Sequence, residues 1–186
     1  MSKKKHFLSE FLKERKTVGS VTPSSPSLCK LMLKNVELGS CKAIAEFGPG
    51  TGVFTSKILE EMPEDSKLLI FELHNAFFLK LEKEYRDYSN VIVINDSAEN
   101  ISKYMIENNI SNLDAIISSL PLTNFDDKLT NNILKSSYES LKEEGLYIQF
   151  QYSLNARKKL KRVFNMVKIN FTPKNIPPAF VYTCKK

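Results

Sequence analysis

The sequence predicts an α/β fold: a doubly wound sheet of seven strands, mostly parallel, with an antiparallel C-terminal edge pair and two N-terminal helices. Five short apolar runs recur along the middle of the chain, each followed by about 10 to 25 residues of mixed polarity with helical spacing of the apolar positions. Continuous apolar runs are typical of strands buried on both faces, and the intervening lengths suit crossover helices. Two further β-rich runs follow with no helix between them, which indicates an antiparallel pair closing the sheet edge.

The N-terminal part of the chain is predicted to begin with a short amphipathic basic helix over residues 6–16. Four apolar side chains fall there at helical spacing: Phe7, Leu8, Phe11 and Leu12. Residues 17–26, TVGSVTPSSP, contain a glycine and two prolines and are predicted to form a loop. One of the serines just before Pro26 then caps a second helix that ends near Val36.

The remaining elements make up one compact domain over residues 43–186, preceded by an N-terminal unit over residues 1–42. The predicted strands are AIAEFG from Ala43, LLIFE from Leu68, VIVIN from Val91, DAIIS from Asp114, LYIQFQY from Leu146, FNMVKIN from Phe164 and AFVYT from Ala179. A short basic helix, NARKKLKRV from Asn155, precedes the last two strands.

Composition limits the classes of protein that this chain can belong to. It has 186 residues, of which 42% are apolar, and this suits a single globular domain. Three widely spaced cysteines and two histidines predict no metal site and no disulfide framework, so a reducing cytoplasm is expected. We expect neither a signal peptide nor a membrane span, because no apolar run is long enough. We assume a monomer.

Charge is divided unevenly along the chain. Residues 1–42 carry 9 basic and 3 acidic groups, residues 43–152 carry 9 and 18, and residues 153–186 carry 9 and 0. Basic ends favour a polyanionic partner, either nucleic-acid phosphate or an anionic membrane surface. Ordinary solubilising surface charge is the alternative interpretation.

The loop after the first strand is the most informative segment. It reads EFGPGTG from Glu46 to Gly52, and its three glycines let the backbone turn sharply and approach a ligand. The spacing is GxGxG rather than the GxGxxG of nicotinamide sites. Glu46 opposes a pyrophosphate and favours a ligand that carries a positive charge.

Carboxylates also end the second and third strands. Glu72 follows Gly52 by 20 residues, a spacing at which a carboxylate can accept both hydrogen bonds of a ribose diol. Asp96, in the segment NDSA, can accept a hydrogen bond from an adenine amine; the alternative is that it caps the following helix. A ligand with ribose, adenine and a cationic amino-acid tail but no phosphate is S-adenosylmethionine.

These segments resemble the ordered motifs of a known family. EFGPGTG, the FEL ending near Glu72, NDSA and the SSLPL from Ser118 look like the motifs of class I methyltransferases, which have a Rossmann-like fold. FLKERKTVGSVTPSSPSLCKLML, GPGTGVFT, SSLPLTNF and PPAFVY are similar to segments of bacterial phospholipid N-methyltransferases and of small relatives of the ribosomal RNA adenine dimethylases.

The resemblance implies S-adenosylmethionine as cofactor, S-adenosylhomocysteine as product, no metal, and the following roles. A loop that closes over the cofactor comprises Gly19, Ser20, Val21, Thr22, Pro23 and Ser24. Contacts with the methionine end come from Glu46, Phe47, Gly48, Pro49, Gly50, Thr51 and Gly52. Contacts with the ribose and its surroundings come from Glu72, Leu73 and His74, and contacts with the adenine from Asp96, Ser97 and Ala98. The acceptor is positioned by Ser118, Ser119, Leu120 and Pro121, of which Ser118 also contacts the cofactor.

The resemblance implies methylation of the headgroup amine of phosphatidylethanolamine by a cytoplasmic protein that binds the inner face of an anionic membrane. RNA adenine N6-methylation and methylation of a soluble amine remain alternatives, as does a cofactor-binding protein without activity. RNA adenine dimethylases stack an aromatic ring on the target base where this chain has Leu122, so Phe125 would have to take its place. No general base is identified.

Overall fold

The computed structural model describes residues 24–186, and there it confirms the predicted α/β sheet. The strands are β1 (Ala43–Phe47), β2 (Lys67–Phe71), β3 (Val91–Ile94), β4 (Leu113–Ser118), β5 (Leu141–Gln151), β6 (Met166–Thr172) and β7 (Ala179–Lys185). The helices are α1 (Pro26–Leu33), α2 (Val53–Glu61), α3 (Asn75–Tyr85), α4 (Ile101–Glu107), α5 (Asp127–Ser140) and α6 (Arg157–Val163). The first predicted helix, over residues 6–16, lies outside the described residues.

The seven strands form one sheet in the order β3-β2-β1-β4-β5-β7-β6. Strands β1 to β5 are parallel, and β7 pairs antiparallel with both β5 and β6. The strand order reverses between β1 and β4, and ligands of such sheets bind beyond the carboxyl ends of the strands at this switch point. We call the side of the sheet where β1 to β5 end the carboxyl edge, and the opposite side the amino edge.

Helices cover both faces of the sheet. On one face, α1, α2 and α3 contribute a core that includes Leu28, Met32, Ile58 and Leu81. On the other face, α4, α5 and α6 contribute Ile101, Leu134 and Leu160. Successive residues of β1 alternate between these two cores, as a strand buried on both faces requires: Ile44 belongs to the first and Ala45 to the second.

Strand β5 begins five residues before the predicted position. Leu141 already pairs with Leu113, and the register then shifts so that Leu146 pairs with Ala115. Residues 142–144 are polar and exposed, and Glu144 has a positive φ of 66°. Because this segment is polar and irregular, the start of the strand is not detected by a search for apolar runs.

Other boundaries also differ from the prediction, and two of them have a clear cause in the hydrogen bonding. Helix α1 ends at Leu33 rather than near Val36, because the N–H of Val36 turns back to donate to the carbonyl of Leu33 at 2.9 Å. Strand β6 begins at Met166 rather than at Phe164, whose N–H still donates to the carbonyl of Leu160 at the end of α6.

Within residues 24–186, no helix is both long enough and apolar enough to cross a bilayer. The same part of the chain contains no group of three or more His, Cys, Asp or Glu side chains that could hold a metal ion. Its three cysteines, Cys29, Cys41 and Cys184, are buried and free.

Candidate active site

The glycine loop lies at the carboxyl edge, between β1 and α2. Gly48 and Gly50 have φ values of 65° and 59°, a left-handed conformation that favours glycine. A Cβ atom on Gly48 would lie 3.1 Å from the side chain of Leu120, whereas one on Gly50 would meet no heavy atom within 4 Å. The loop therefore packs tightly at its first glycine and leaves open space over its second.

Glu72 joins the glycine loop to the end of β2. Its Oε2 accepts a hydrogen bond from the N–H of Gly50 at 3.2 Å, and its Oε1 accepts one from the N–H of His74 at 2.8 Å. The side chain is buried. Glu72 is therefore a buried, hydrogen-bonded link between the two loops.

Glu46 is a fully buried carboxyl group beneath the same loop. Its Oε2 accepts a hydrogen bond from the Thr55 hydroxyl at 2.6 Å, while its Oε1 has no hydrogen-bond partner among the described residues. Burial, and to a lesser extent the charge of Glu72, raise the pKa of Glu46 to about 8, although the bond from Thr55 opposes this. A positively charged or N–H-donating ligand would satisfy the unpaired oxygen and favour the carboxylate.

The third predicted segment is held in a network after β3. Asp96 accepts hydrogen bonds from the Ser97 N–H at 2.7 Å, the Asn100 side chain at 3.0 Å and the Tyr104 hydroxyl at 3.0 Å. Partial burial opposes ionisation, but these bonds lower the pKa of Asp96 below its ordinary value. The amide of Asn95 donates to the carbonyl of Glu72 at 2.8 Å, so the loops after β2 and β3 are also joined.

The other predicted cofactor-binding residues after β2 and β3 lie next to Glu72 and Asp96 in the chain. Leu73 is half-buried against the core, and the His74 ring lies 5.0 Å from that of Phe77, centroid to centroid. Ala98 is buried. Thus the segments after β1, β2 and β3 that were predicted from the sequence converge at one edge of the sheet.

The predicted acceptor segment follows β4. Ser118 is buried as the last residue of that strand, and the N–H of Ser119 donates to the carbonyl of Phe47 at 2.9 Å. This bond places the segment directly beside the glycine loop. Leu122 and Phe125 are only 1% and 6% exposed, so Phe125 is a core residue and is not available as a stacking ring.

Two functional candidates were missed by the sequence analysis. The side-chain amides of Gln149 and Gln151 donate to the carbonyl of Leu120 at 3.0 and 2.8 Å. A signal for them existed: they are polar residues two positions apart in an apolar strand, so both side chains point to the same face.

The cofactor-closing loop lies almost entirely outside the described residues, which include only Ser24 of its six predicted members. The next residue, Ser25, caps α1 by accepting a hydrogen bond from the N–H of Leu28 at 3.1 Å. The N–H of Ser25 donates to Asn175 Oδ1 at 3.0 Å, so the chain enters α1 against the loop between β6 and β7.

Comparison with known proteins agrees with this architecture. The family model described as methyltransferase small domain matches residues 27–175. An ornithine lipid N-methyltransferase of Singulisphaera acidiphila is 25% identical over 180 residues, which cover 96% of this chain and 94% of that protein.

Two solved structures show the same fold at low sequence identity. A precorrin-6y C5,15-methyltransferase of Geobacter metallireducens has a TM-score of 0.70 and 13% identity, over 90% of this chain and 92% of that chain. The N-methyltransferase NodS of Bradyrhizobium japonicum, in complex with S-adenosyl-L-homocysteine, has a TM-score of 0.68 and 10% identity, over 87% and 88% of the two chains.

Proposed function

Because this chain belongs to the methyltransferase small domain family and is an S-adenosylmethionine-dependent methyltransferase, we propose that it methylates the headgroup amine of a membrane lipid. Phosphatidylethanolamine and amino-acid-linked lipids such as ornithine lipid share this amine chemistry. The observation that carries the proposal is a surface at the carboxyl edge that combines exposed apolar side chains with basic ones.

We assign the cofactor to the loops after β1, β2 and β3. The Oε1 of Glu46, which has no hydrogen-bond partner within residues 24–186, fits the ammonium group of the methionine end, and the open space over Gly50 fits a ligand pressed against the backbone. Glu72 would hold the ribose, and Asp96 with Ser97 the adenine. The bound cofactor supplies an electrophilic methyl group on a sulfonium.

The protein's contribution to the reaction is to align the acceptor with the cofactor. Methyl transfer needs the lone pair of a neutral amine in line with the carbon–sulfur bond, and such alignment can contribute roughly 7–11 kcal/mol to lowering a barrier. The segment from Ser118 to Pro121 lies beside the glycine loop through the bond from Ser119 to Phe47, so it can hold the amine there. Leu120 and Pro121 would exclude water.

The loop after β5, the end of β6 and the loop between β6 and β7 form what we call the apolar rim. Gln151 pairs with Phe180 and Thr172 pairs with Ala179, so both loops lie at the carboxyl edge, and the loop after β5 follows the strand next to β4. Its members are exposed or about half exposed: Tyr152, Leu154, Phe171 and Ile176. Exposed apolar side chains at the edge of the sheet that carries an active site are typical of a protein or membrane contact.

Charge next to the apolar rim favours an anionic bilayer as the partner. Helix α6 begins after the first of these loops with Arg157 and Lys158 exposed, and Lys174 is exposed in the loop between β6 and β7. Basic residues near an anionic lipid surface contribute about 1 kcal/mol each. A protein docked in this orientation would bring the lipid headgroup to the acceptor segment.

RNA is less well supported as the acceptor. An RNA adenine methyltransferase needs an exposed ring to stack on the target base, and the side chains at the expected positions, Leu122 and Phe125, are buried. A flipped base would therefore meet no ring from either position.

The first test offers labelled S-adenosylmethionine to the protein with liposomes that contain an anionic lipid and either phosphatidylethanolamine or ornithine lipid. Parallel reactions contain ethanolamine, free ornithine or unmodified ribosomal RNA. We expect label in lipid, and the two liposome types identify which amine is used. Label only in RNA or only in the soluble amines would contradict the proposal.

The second test uses Ile176→Asp, which puts a charge on the apolar rim. Ile106→Asp is a matched control, because Ile106 is 77% and Ile176 80% exposed, and Ile106 lies at the end of α4 toward the amino edge. We expect Ile176→Asp to reduce liposome binding in flotation and lipid methylation at least threefold, with Ile106→Asp near wild type. Equal behaviour of the two variants would argue against docking through the rim.

A further inference from the structure

The loop between β6 and β7, residues 173–178, exposes its apolar side chains and buries a polar one. Asn175 is its one buried residue, whereas Ile176, Pro177 and Pro178 are exposed. This distribution is the reverse of the usual one, in which a surface loop turns its polar side chains to water. A specific interaction must therefore keep Asn175 inside and Ile176 outside.

The side-chain amide of Asn175 supplies this interaction, because it is hydrogen-bonded at both ends. Its Oδ1 accepts a bond from the backbone N–H of Ser25 at 3.0 Å, across 150 positions of the chain. Its Nδ2 donates to the carbonyl of Pro177 at 2.8 Å. An outward turn of Asn175 would break both bonds and take the only side-chain partner from the partly buried N–H of Ser25. Asn175 thus stabilises the loop conformation in which Ile176 is exposed.

The residue on the other side of Asn175 brings a positive charge to the same loop. Lys174 is exposed, and its N–H donates to the hydroxyl of Thr172 at 3.3 Å. One loop held by hydrogen bonds therefore presents a basic and an apolar side chain next to the buried amide. This combination suits an anionic bilayer, which attracts the charge and buries the apolar group.

The loop after β5 is held by a similar contact from the core. Tyr182, which is fully buried in β7, donates a hydrogen bond from its hydroxyl to the carbonyl of Ser153 at 3.1 Å. Ser153 lies between two exposed members of the apolar rim, Tyr152 and Leu154. In both loops, an exposed apolar residue thus directly neighbours a residue that is bonded to the rest of the domain.

We propose that Asn175 and Tyr182 are positioning residues that hold the apolar rim in its docking conformation before the protein meets a bilayer. This role rests on the proposed function, in that it requires docking of the rim on a membrane. A surface that is already ordered loses less conformational entropy on binding than one that must first order, so it binds more tightly through the same contacts. Both side chains are buried, so they act through Ile176 and Ser153 and not by contact with lipid.

The first experiment measures flotation of Asn175→Ala and wild type with liposomes that contain an anionic lipid and phosphatidylethanolamine or ornithine lipid. We expect Asn175→Ala to bind at least about threefold more weakly, because its loop must order on docking. The factor should be similar at low and high salt, since the charge of the protein is unchanged. Asn35→Ala is the control: its amide joins the end of α1 to Thr183 at 3.3 Å, and its loss should leave flotation near wild type.

Tyr182→Phe is the second variant, because it removes one hydroxyl and keeps the ring in the core. We expect it to weaken flotation at least about twofold. Tyr138→Phe removes a hydroxyl from another ring packed against the same core, and it should bind liposomes like wild type.

Turnover separates positioning from damage to the active site. In Asn175→Ala, the bulk lipid concentration that gives half the maximal rate should rise by the factor lost in flotation. The kcat at saturating lipid and the affinity for S-adenosylhomocysteine should stay within about twofold of wild type. A role confined to folding stability would instead lower kcat through the active fraction and leave the half-saturating lipid concentration unchanged.

Hydrogen–deuterium exchange tests whether the rim is ordered in advance. The amide of Ser25 reports its bond to Asn175, and the amide of Lys174 reports its bond to Thr172. Without liposomes, both amides should be protected in wild type, and the Ser25 amide should exchange faster in Asn175→Ala. Rapid exchange in wild type that only liposomes slow would overturn the inference, because the rim would then order on docking.

Equal flotation of wild type, Asn175→Ala and Tyr182→Phe would overturn the inference and leave the proposed function standing. A wild type that floats with neither liposome type would overturn both. A wild type that floats but methylates neither lipid would overturn the proposed function alone. Flotation and exchange then still decide the inference, because neither measurement requires turnover.

Discussion

The backbone N–H of Gly50 donates a hydrogen bond to the Glu72 carboxylate at 3.2 Å, so the loop after β1 and the end of β2 form one unit. The two residues are 22 positions apart in the chain and are brought together because β1 and β2 are neighbouring parallel strands. The same carboxylate also accepts a bond from the N–H of His74.

Glu72→Gln should weaken both the loop and the cofactor site. An amide has only one acceptor oxygen, so its NH₂ group would face one of the two backbone N–H donors that the carboxylate now satisfies. We expect a loss of about 1–2 kcal/mol in the free energy of unfolding and about tenfold in affinity for S-adenosylhomocysteine, by urea denaturation and calorimetry. The exposed Glu82 provides the control Glu82→Gln, and unchanged affinity in Glu72→Gln would remove Glu72 from the proposed site.

Comparing Gly50→Ala with Gly52→Ala separates the effect of backbone strain from the effect of a methyl group that excludes the ligand. Gly50 and Gly52 both have positive φ, so each Gly→Ala change costs roughly 1–2 kcal/mol of stability. The new methyl group meets Leu81 and Tyr85 at 3.5 Å in Gly52→Ala but stands in open space in Gly50→Ala. We expect Gly50→Ala to lose more affinity for S-adenosylhomocysteine, at least about tenfold, in a calorimetric titration. If Gly52→Ala loses as much or more, the space over Gly50 is not the cofactor position.

Glu46 makes stability depend on pH. Its pKa is raised from 4.5 to about 8, so the native state retains a proton that the unfolded chain loses in this window. The contribution of Glu46 to stability is therefore present below about pH 4.5 and is lost as pH rises through about 8. Glu46→Gln, which is neutral at every pH, should flatten this decline and exceed wild type by more than about 1 kcal/mol at pH 9.

The measurement for Glu46 is urea denaturation at several pH values without cofactor. Glu64→Gln, at an exposed position, is the control and should follow wild type. A decline of the same slope in Glu46→Gln would show that other groups cause it.

Asp114 should be important for stability and not for cofactor binding. It lies toward the amino edge and accepts hydrogen bonds from the N–H groups of Lys42 and Ala43 and from the side chain of Lys142. Burial opposes ionisation, but these bonds lower the pKa of Asp114 below 3.8. Its contribution is thus present above about pH 4 and is lost as pH falls through the lowered pKa.

Asp114→Asn should cost about 1–3 kcal/mol at pH 7 and less at pH 3, with cofactor affinity within twofold of wild type. Urea denaturation at both pH values and one calorimetric titration test this. Asp65→Asn, at an exposed loop position, is the control. A large loss of affinity in Asp114→Asn would mean that the two edges of the sheet are coupled.

Much of the fold was predictable because the parallel strands are buried on both faces and therefore appear as continuous apolar runs. AIAEF and LLIF show this pattern and became β1 and most of β2. The start of β5 was not predictable, because residues 142–144 are polar and the first pairing, Leu141 with Leu113, precedes a shift in register.

Some residues of the candidate site were likewise predictable from the sequence, and others were not. The glycine loop, Glu72 and Asp96 follow strand ends directly, and residues that follow parallel strands must meet at one edge. Gln149 and Gln151 were missed because their partner is a backbone carbonyl of another segment, and a backbone atom has no signature in the sequence. Phe125 was offered as a stacking ring, but packing against the core buries it.

The sequence by itself determined the alternation of strands and helices, the glycine loop with its carboxylates, and the basic character of the C-terminal segment, since each depends on residue type and local spacing. Only the tertiary structure decided that Gln149 and Gln151 donate to the Leu120 carbonyl, that Ser119 Oγ has no hydrogen-bond partner among the described residues, and that the apolar rim lies at the carboxyl edge. These properties depend on which segments become neighbours and on which donors and acceptors remain after the backbone has paired. They are fixed by the pairing of β4 with β5 and of β5 with β7, over contacts that local spacing does not specify.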